Sequence, residues 1–177
     1  MGKRTNNNRI NKQGFTLLET IVAIAILALA IMGPMELAAR SIGLASVSKN
    51  QIVAFYLAQD AMEYVKNVRD ANFLTPGANW LDGFDSCRGL NGCYIDVPRD
   101  EISACTGDCP VLKYDSSGLF YNYAAGENSV FTRTVKITDV AENTNEVEVK
   151  VRVTVLWNEK TGPKTFTIED NIFNWIN

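Results

Sequence analysis

The chain has 177 residues, 46% of them hydrophobic and 21% charged, enough for one buried core beside one long element and too little for two full domains. Its net charge of −3 hides an asymmetry: Lys3, Arg4, Arg9 and Lys12 fall in the first fourteen residues with no acid, leaving thirteen bases against twenty acids after them. A remainder of charge −7 suits a phosphate backbone poorly, so no nucleic-acid partner is expected, and the lack of histidine excludes His-based acid–base catalysis, His-containing triads and His-ligated metal.

Residues 1–14 (MGKRTNNNRINKQG) are basic, Asn-rich and free of hydrophobic periodicity, which predicts a segment held in the cytoplasm by its positive charge. The next stretch, GFTLLETIVAIAILALA, carries a single charge, Glu19, and residues 20–35 carry none. With the four residues ahead of the acid, this run approaches the ~20 apolar residues that a membrane-spanning helix requires. A lone carboxylate in hydrocarbon costs at least about 2.5 kcal/mol, so Glu19 implies a partner. A cleavable secretory signal is one reading, because Ala28-Leu29-Ala30 offers a cut site. A plain membrane anchor is another. Neither accounts for Glu19.

Residues 12–19, KQGFTLLE, resemble the processing site of type IV prepilins and type II secretion pseudopilins. The resemblance implies a prepilin peptidase that cuts after Gly14 and methylates the new amino terminus at Phe15. It makes Glu19 the acid at mature position five, which meets the amino-terminal nitrogen of a neighbouring subunit during assembly. Removing one member of such a pair in a low-dielectric bundle costs roughly 3–5 kcal/mol, and the pair sets the register between subunits. Snorkelling of Glu19 to the headgroups is the bland alternative. Gly33 and Pro34 come next: the proline cannot donate to the carbonyl of Ala30, which predicts a helix break, either a kink or a local opening. Filament pilins have a helix-breaking proline about one turn further on.

Beyond that point Ile42, Ala45, Ile52, Phe55, Met62, Val65 and Val68 recur at helical spacing, with Asp60, Glu63, Asn67 and Asp70 on another face. This predicts an amphipathic stalk with local Glu63–Lys66 and Lys66–Asp70 pairs. Residues 57–73 also resemble the stalk end of minor-pilin-like proteins. A helix over 15–71 would be about 80 Å long, its first part (15–35) spanning the membrane and its second (36–71) packing on a head.

Residues 72–110 turn to Gly, Pro, Asp, Cys and Trp without periodicity and predict a loop region holding one short strand at 93–97. Cys87, Cys93, Cys105 and Cys109 are disulfide candidates, as suits an oxidising compartment, and allow two local bridges, a nested pair or an interlocked pair. Zinc held by all four thiolates is the sharper alternative, but the C-x5-C and C-x3-C spacings depart from short knuckles. Asp82, Asp85, Asp96, Asp100 and Asp108 offer oxygen ligands of the kind some pseudopilins give calcium, without EF-hand spacing, and read equally as turn formers. No metal or cofactor is expected.

Residues 111–177 alternate as an antiparallel sheet. Residues 114–119 separate two short strands, 130–140 form a strand with Phe131, Val135 and Ile137 inward, and 146–157 place Val147, Val149, Val151, Val153, Val155 and Trp157 on one face. Residues 158–163 turn the chain and 164–169 pair back. The pattern predicts an α+β fold, a long amino-terminal helix packed on an antiparallel sheet head, and the resemblance implies that this fold is type IV pilin-like. The expected function is that of a structural filament subunit, leaning to a minor pilin, anchored in the cytoplasmic membrane with its head outside and working with other pilin subunits and the assembly machinery. A secretion pseudopilin and a monomeric anchored or secreted protein are the alternatives. No enzymatic role is expected, since a nucleophile elbow and a phosphate-binding glycine loop are both missing.

Overall fold

Helix α1, Leu17–Leu74, is one 58-residue element that begins in the apolar run and ends in the head. The structure, a computed structural model, describes residues 14–140 and 147–174. The basic leader through residue 13, the segment 141–146 and the last three residues lie outside the described residues. The chain divides into two compact units, Met1–Ser46 and Val47–Asn177.

In the first unit every described residue is solvent-exposed, and the helix there is long and apolar enough to cross a membrane. Gly33 and Pro34 lie inside α1, which continues through them as α-helix, so the loss of one backbone donor does not end the element. Glu36 and Arg40 close the uncharged run with an i,i+4 pair at 2.6 Å.

In the second unit α1 buries Ala54, Leu57, Ala58, Ala61, Met62, Val65 and Arg69. Met62 and Val65 of the stripe legible in the sequence are buried and Val68 packs against the core, but Ile52 and Phe55 are 57% and 39% exposed, and three alanines, which carry little hydrophobic weight, complete the inner face. Asp60, Glu63, Asn67 and Asp70 do face solvent. Lys66 does not pair along the helix. It reaches Asp170 at 2.7 Å, and Arg69 takes Asp70.

Among the described residues seven strands follow: β1 Cys93–Asp96, β2 Glu101–Ala104, β3 Val111–Asp115, β4 Phe120–Asn122, β5 Glu127–Asp139, β6 Glu148–Glu159 and β7 Gly162–Phe173, all paired antiparallel in one sheet. The central strand is β5. One edge carries β6, and the other carries β3 against its first half and β1 against Val135. Val149, Val151, Val153 and Val155 are fully buried and join Phe131, Val135 and Ile137 in the core cluster that also contains the alanine stripe of α1. Period-two alternation therefore places the face as the sequence predicts.

Three departures concern short or extended strands. β2 falls in the stretch expected to be loop, because four residues between two cysteines show no periodicity; it pairs with β1 from Cys93↔Ala104 to Asp96↔Glu101. β5 starts at Glu127 rather than 130, and the last hairpin narrows to residues 160–161 because β6 and β7 extend toward each other. The β3–β4 turn forms where expected, with Asp115 Oδ1 accepting from the backbone N–H of Ser117 at 2.8 Å. Gly126 has φ +104°, and a β-carbon there would run into the backbone of Tyr114, so only glycine leads the chain into β5.

The cysteines form the two local bridges, Cys87–Cys93 and Cys105–Cys109. The first ties the short 3-10 turn Asp85–Cys87 to the start of β1; the second closes the loop after β2.

Candidate functional site

The first turn of α1 is built on Thr16. Gly14, Phe15 and Thr16 precede the helix, and the carbonyl of Thr16 accepts the first intrahelical bond, from Thr20 N at 3.2 Å. The Thr16 hydroxyl oxygen accepts from the backbone N–H of Glu19 at 3.3 Å, which satisfies one of the donors that every helix start leaves over. Thr20 Oγ1 donates back to the carbonyl of Leu17 at 2.8 Å. Thr16 and Glu19 thus stand at the N-cap and third positions of a T-x-x-E capping sequence. The signal was present in the sequence, where the acid three residues after a threonine reads as a helix start.

A carboxylate in the first turn also faces the positive end of the helix dipole. Glu19 therefore has a local stabilising role in the single chain, alongside the assembly role that the resemblance implies. The Gly14–Phe15 bond lies ahead of the helix, and Phe15 is 77% exposed. Gly33 and Pro34 stand fourteen and fifteen residues after Glu19 on the same helix, about 21 Å along it at 1.5 Å per residue, and so belong to a separate place on α1.

Residues 9–33 match the family described as the prokaryotic N-terminal methylation motif. The chain is type IV pilin-like. The match takes in Gly14, Phe15, Thr16, Glu19 and Gly33 and stops one residue before Pro34. It indicates a pilin-type structural protein and implies processing by prepilin peptidase and assembly into pilin-type filaments; with the apolar helix it fits a membrane-anchored chain. No curated protein and no solved structure matches the chain.

The head contains a polar centre that sequence reasoning missed. Arg133 is 1% exposed and faces inward between Phe131 and Val135 on β5. Its guanidinium donates to the carbonyl of Leu57 (2.8 Å), to Asp60 Oδ2 (2.9 Å) and to the carbonyl of Ile95 (2.6 Å), so one side chain joins α1, β5 and β1. Strand parity was the available signal, since residues 131, 133, 135 and 137 share a face. Of the aspartates that could have held calcium, Asp82 caps Asn79 N at 2.8 Å, Asp100 accepts from the Tyr64 hydroxyl at 2.7 Å, and Asp96 is buried against Tyr123 N at 3.1 Å. Among the described residues no group of three or more acidic or cysteine side chains is arranged to hold a metal ion. Burial, then the bond to Asp100, raises the Tyr64 phenol above its ordinary range.

Proposed function

We propose that this pilin-like chain is a minor pilin. It is inserted in the cytoplasmic membrane with its head outside, is cut after Gly14 and methylated on Phe15, and polymerises through the apolar half of α1. Glu19 pairs with the amino-terminal nitrogen of the neighbouring subunit. The observation that carries this reading is the methylation motif on a helix whose uncharged residues 20–35 are wholly exposed in the single chain. An apolar surface of that length requires lipid before assembly and other subunits after it.

The continuity of α1 into the head supports retention of the helix after processing, which a cut near Ala30 would abolish. The loop-rich, disulfide-bearing head and the displaced proline favour a minor over a major subunit. Glu19→Ala tests the assembly role: the variant is processed normally but is depleted from sheared surface filaments, whereas wild-type incorporation would remove the role given to the acid. Labelled heads on external fibres support a pilus; heads confined to the cell envelope support a secretion pseudopilus.

A further inference from the structure

A cavity of about 300 Å³ lies between α1, the 3-10 turn Val97–Arg99 and β4. Three aromatic side chains, Tyr56, Phe120 and Tyr121, line it together with Val97, Pro98 and Asp60. Among the described residues that line it, Asp60 alone carries a charge. The volume falls at the lower end of the range for small-ligand pockets, roughly 300–1,000 Å³.

The lining selects by charge. An aromatic ring presents a negative face, which attracts a cation, and the Asp60 carboxylate repels an anion. Asp60 Oδ2 accepts from Arg133 at 2.9 Å, yet a carboxylate has about four lone-pair sites, and this side chain is 48% exposed, so it can take a further donor. The Arg133 side chain is only 2% exposed and turns its remaining bonds inward, to the carbonyls of Leu57 and Ile95. A wider groove across α1 shares Tyr56, Asp60 and Val97 with the cavity and adds a second acid, Glu63; its one base, Lys66, is bound to Asp170 at 2.7 Å.

We propose that this cavity binds an organic ammonium ion, with the charged nitrogen against the rings of Tyr56, Phe120 and Tyr121 and beside the Asp60 carboxylate. Carbon-bearing cations are the class that fits. Their apolar groups suit Val97 and Pro98, whereas an inorganic cation would exchange its water for a lining made mostly of carbon.

The test is an aromatic-proton NMR titration of the full chain in maltoside micelles, a detergent without an ammonium group. The probes are choline, n-butylammonium and 3,3-dimethyl-1-butanol, the uncharged carbon analogue of choline. Saturable shifts of the Tyr56, Phe120 and Tyr121 rings are expected with the cations and not with the alcohol. Tighter binding of choline points to a lipid-type headgroup, and tighter binding of butylammonium to a lysine side chain of a partner. Tyr56→Ala, at an exposed position, should weaken binding about fivefold, and Tyr56→Phe, which keeps the ring, should retain it. Absence of a saturable shift with both cations overturns the proposal, as does equal binding of the alcohol or unchanged binding by Tyr56→Ala.

Discussion

Asp60, half-exposed on α1, receives a hydrogen bond at 2.9 Å from Arg133, whose side chain is only 2% exposed on the central strand. The two partners are unequal: water can solvate Asp60 if the pair is broken, but it cannot reach Arg133. Asp60→Ala therefore leaves a buried, partly uncompensated charge and is predicted to cost about 3 kcal/mol. Adding Arg133→Met, an apolar side chain of comparable length, should recover most of that loss. Urea unfolding of the single and double variants measures both, and a loss below about 1 kcal/mol for Asp60→Ala, on the scale of an exposed pair, would contradict the arrangement.

Asp170 and Tyr64, both in the head, are pushed from their ordinary ranges in opposite senses. The hydrogen bond from Lys66 holds Asp170 below the usual carboxylate value of 3.8, so its contribution to stability is present above that value and is lost as pH falls through the lower, folded-state value. Tyr64 is raised above 10.0 by burial and then by Asp100, so its contribution is complete below pH 10 and disappears as pH rises through the folded value. Lys66→Met should move the Asp170 carboxyl midpoint upward in an NMR titration, with Tyr64 unaffected. An unchanged midpoint would show that Lys66 does not hold this acid.

How much was legible in the sequence follows from the kind of signal each element carries. Strand β6 was readable because five alternating inward positions, Val149 to Trp157, repeat one rule without interruption. The buried stripe of α1 was legible at Met62, Val65 and Val68 but not at Ala54, Ala58 and Ala61, which pack by being small, a property hydrophobicity does not register, while Ile52 and Phe55 look like core yet are exposed. Strand β2 was missed because four residues are too few to show a period, and its place comes from pairing with β1. The amino-terminal motif is legible because Gly14, Phe15 and Glu19, which fall in the matched methylation motif, lie close together in sequence. Arg133 depends on partners 38 and 76 residues away, which no local pattern reports.

Each disulfide closes a short loop, with sequence separations of 6 and 4, so each should contribute about 2 kcal/mol. Cys87→Ser with Cys93→Ser is predicted to be the costlier pair of changes, because both positions are fully buried and each receives a hydroxyl in an apolar core. Thermal unfolding of the two double variants checks the order; a larger loss for Cys105→Ser with Cys109→Ser would reverse it.

At the amino terminus, the cap and the assembly contact separate by substitution. Thr16→Val removes the acceptor for Glu19 N and should lower the stability of the first helical turn by about 1 kcal/mol, seen as faster amide exchange there. Glu19→Gln keeps a capping-box side chain but loses the charge, so it should preserve that protection while reducing incorporation into filaments. If Glu19→Gln assembles like wild type, the acid serves the helix start alone.

Processing at the Gly14–Phe15 bond is the claim on which the account rests, and intact-mass and amino-terminal analysis of the protein recovered from cell membranes tests it most directly. The account predicts a mature chain that begins with N-methylated Phe15 and retains all of α1. A chain beginning at residue 31, cut after Ala30 and lacking Glu19, would contradict it.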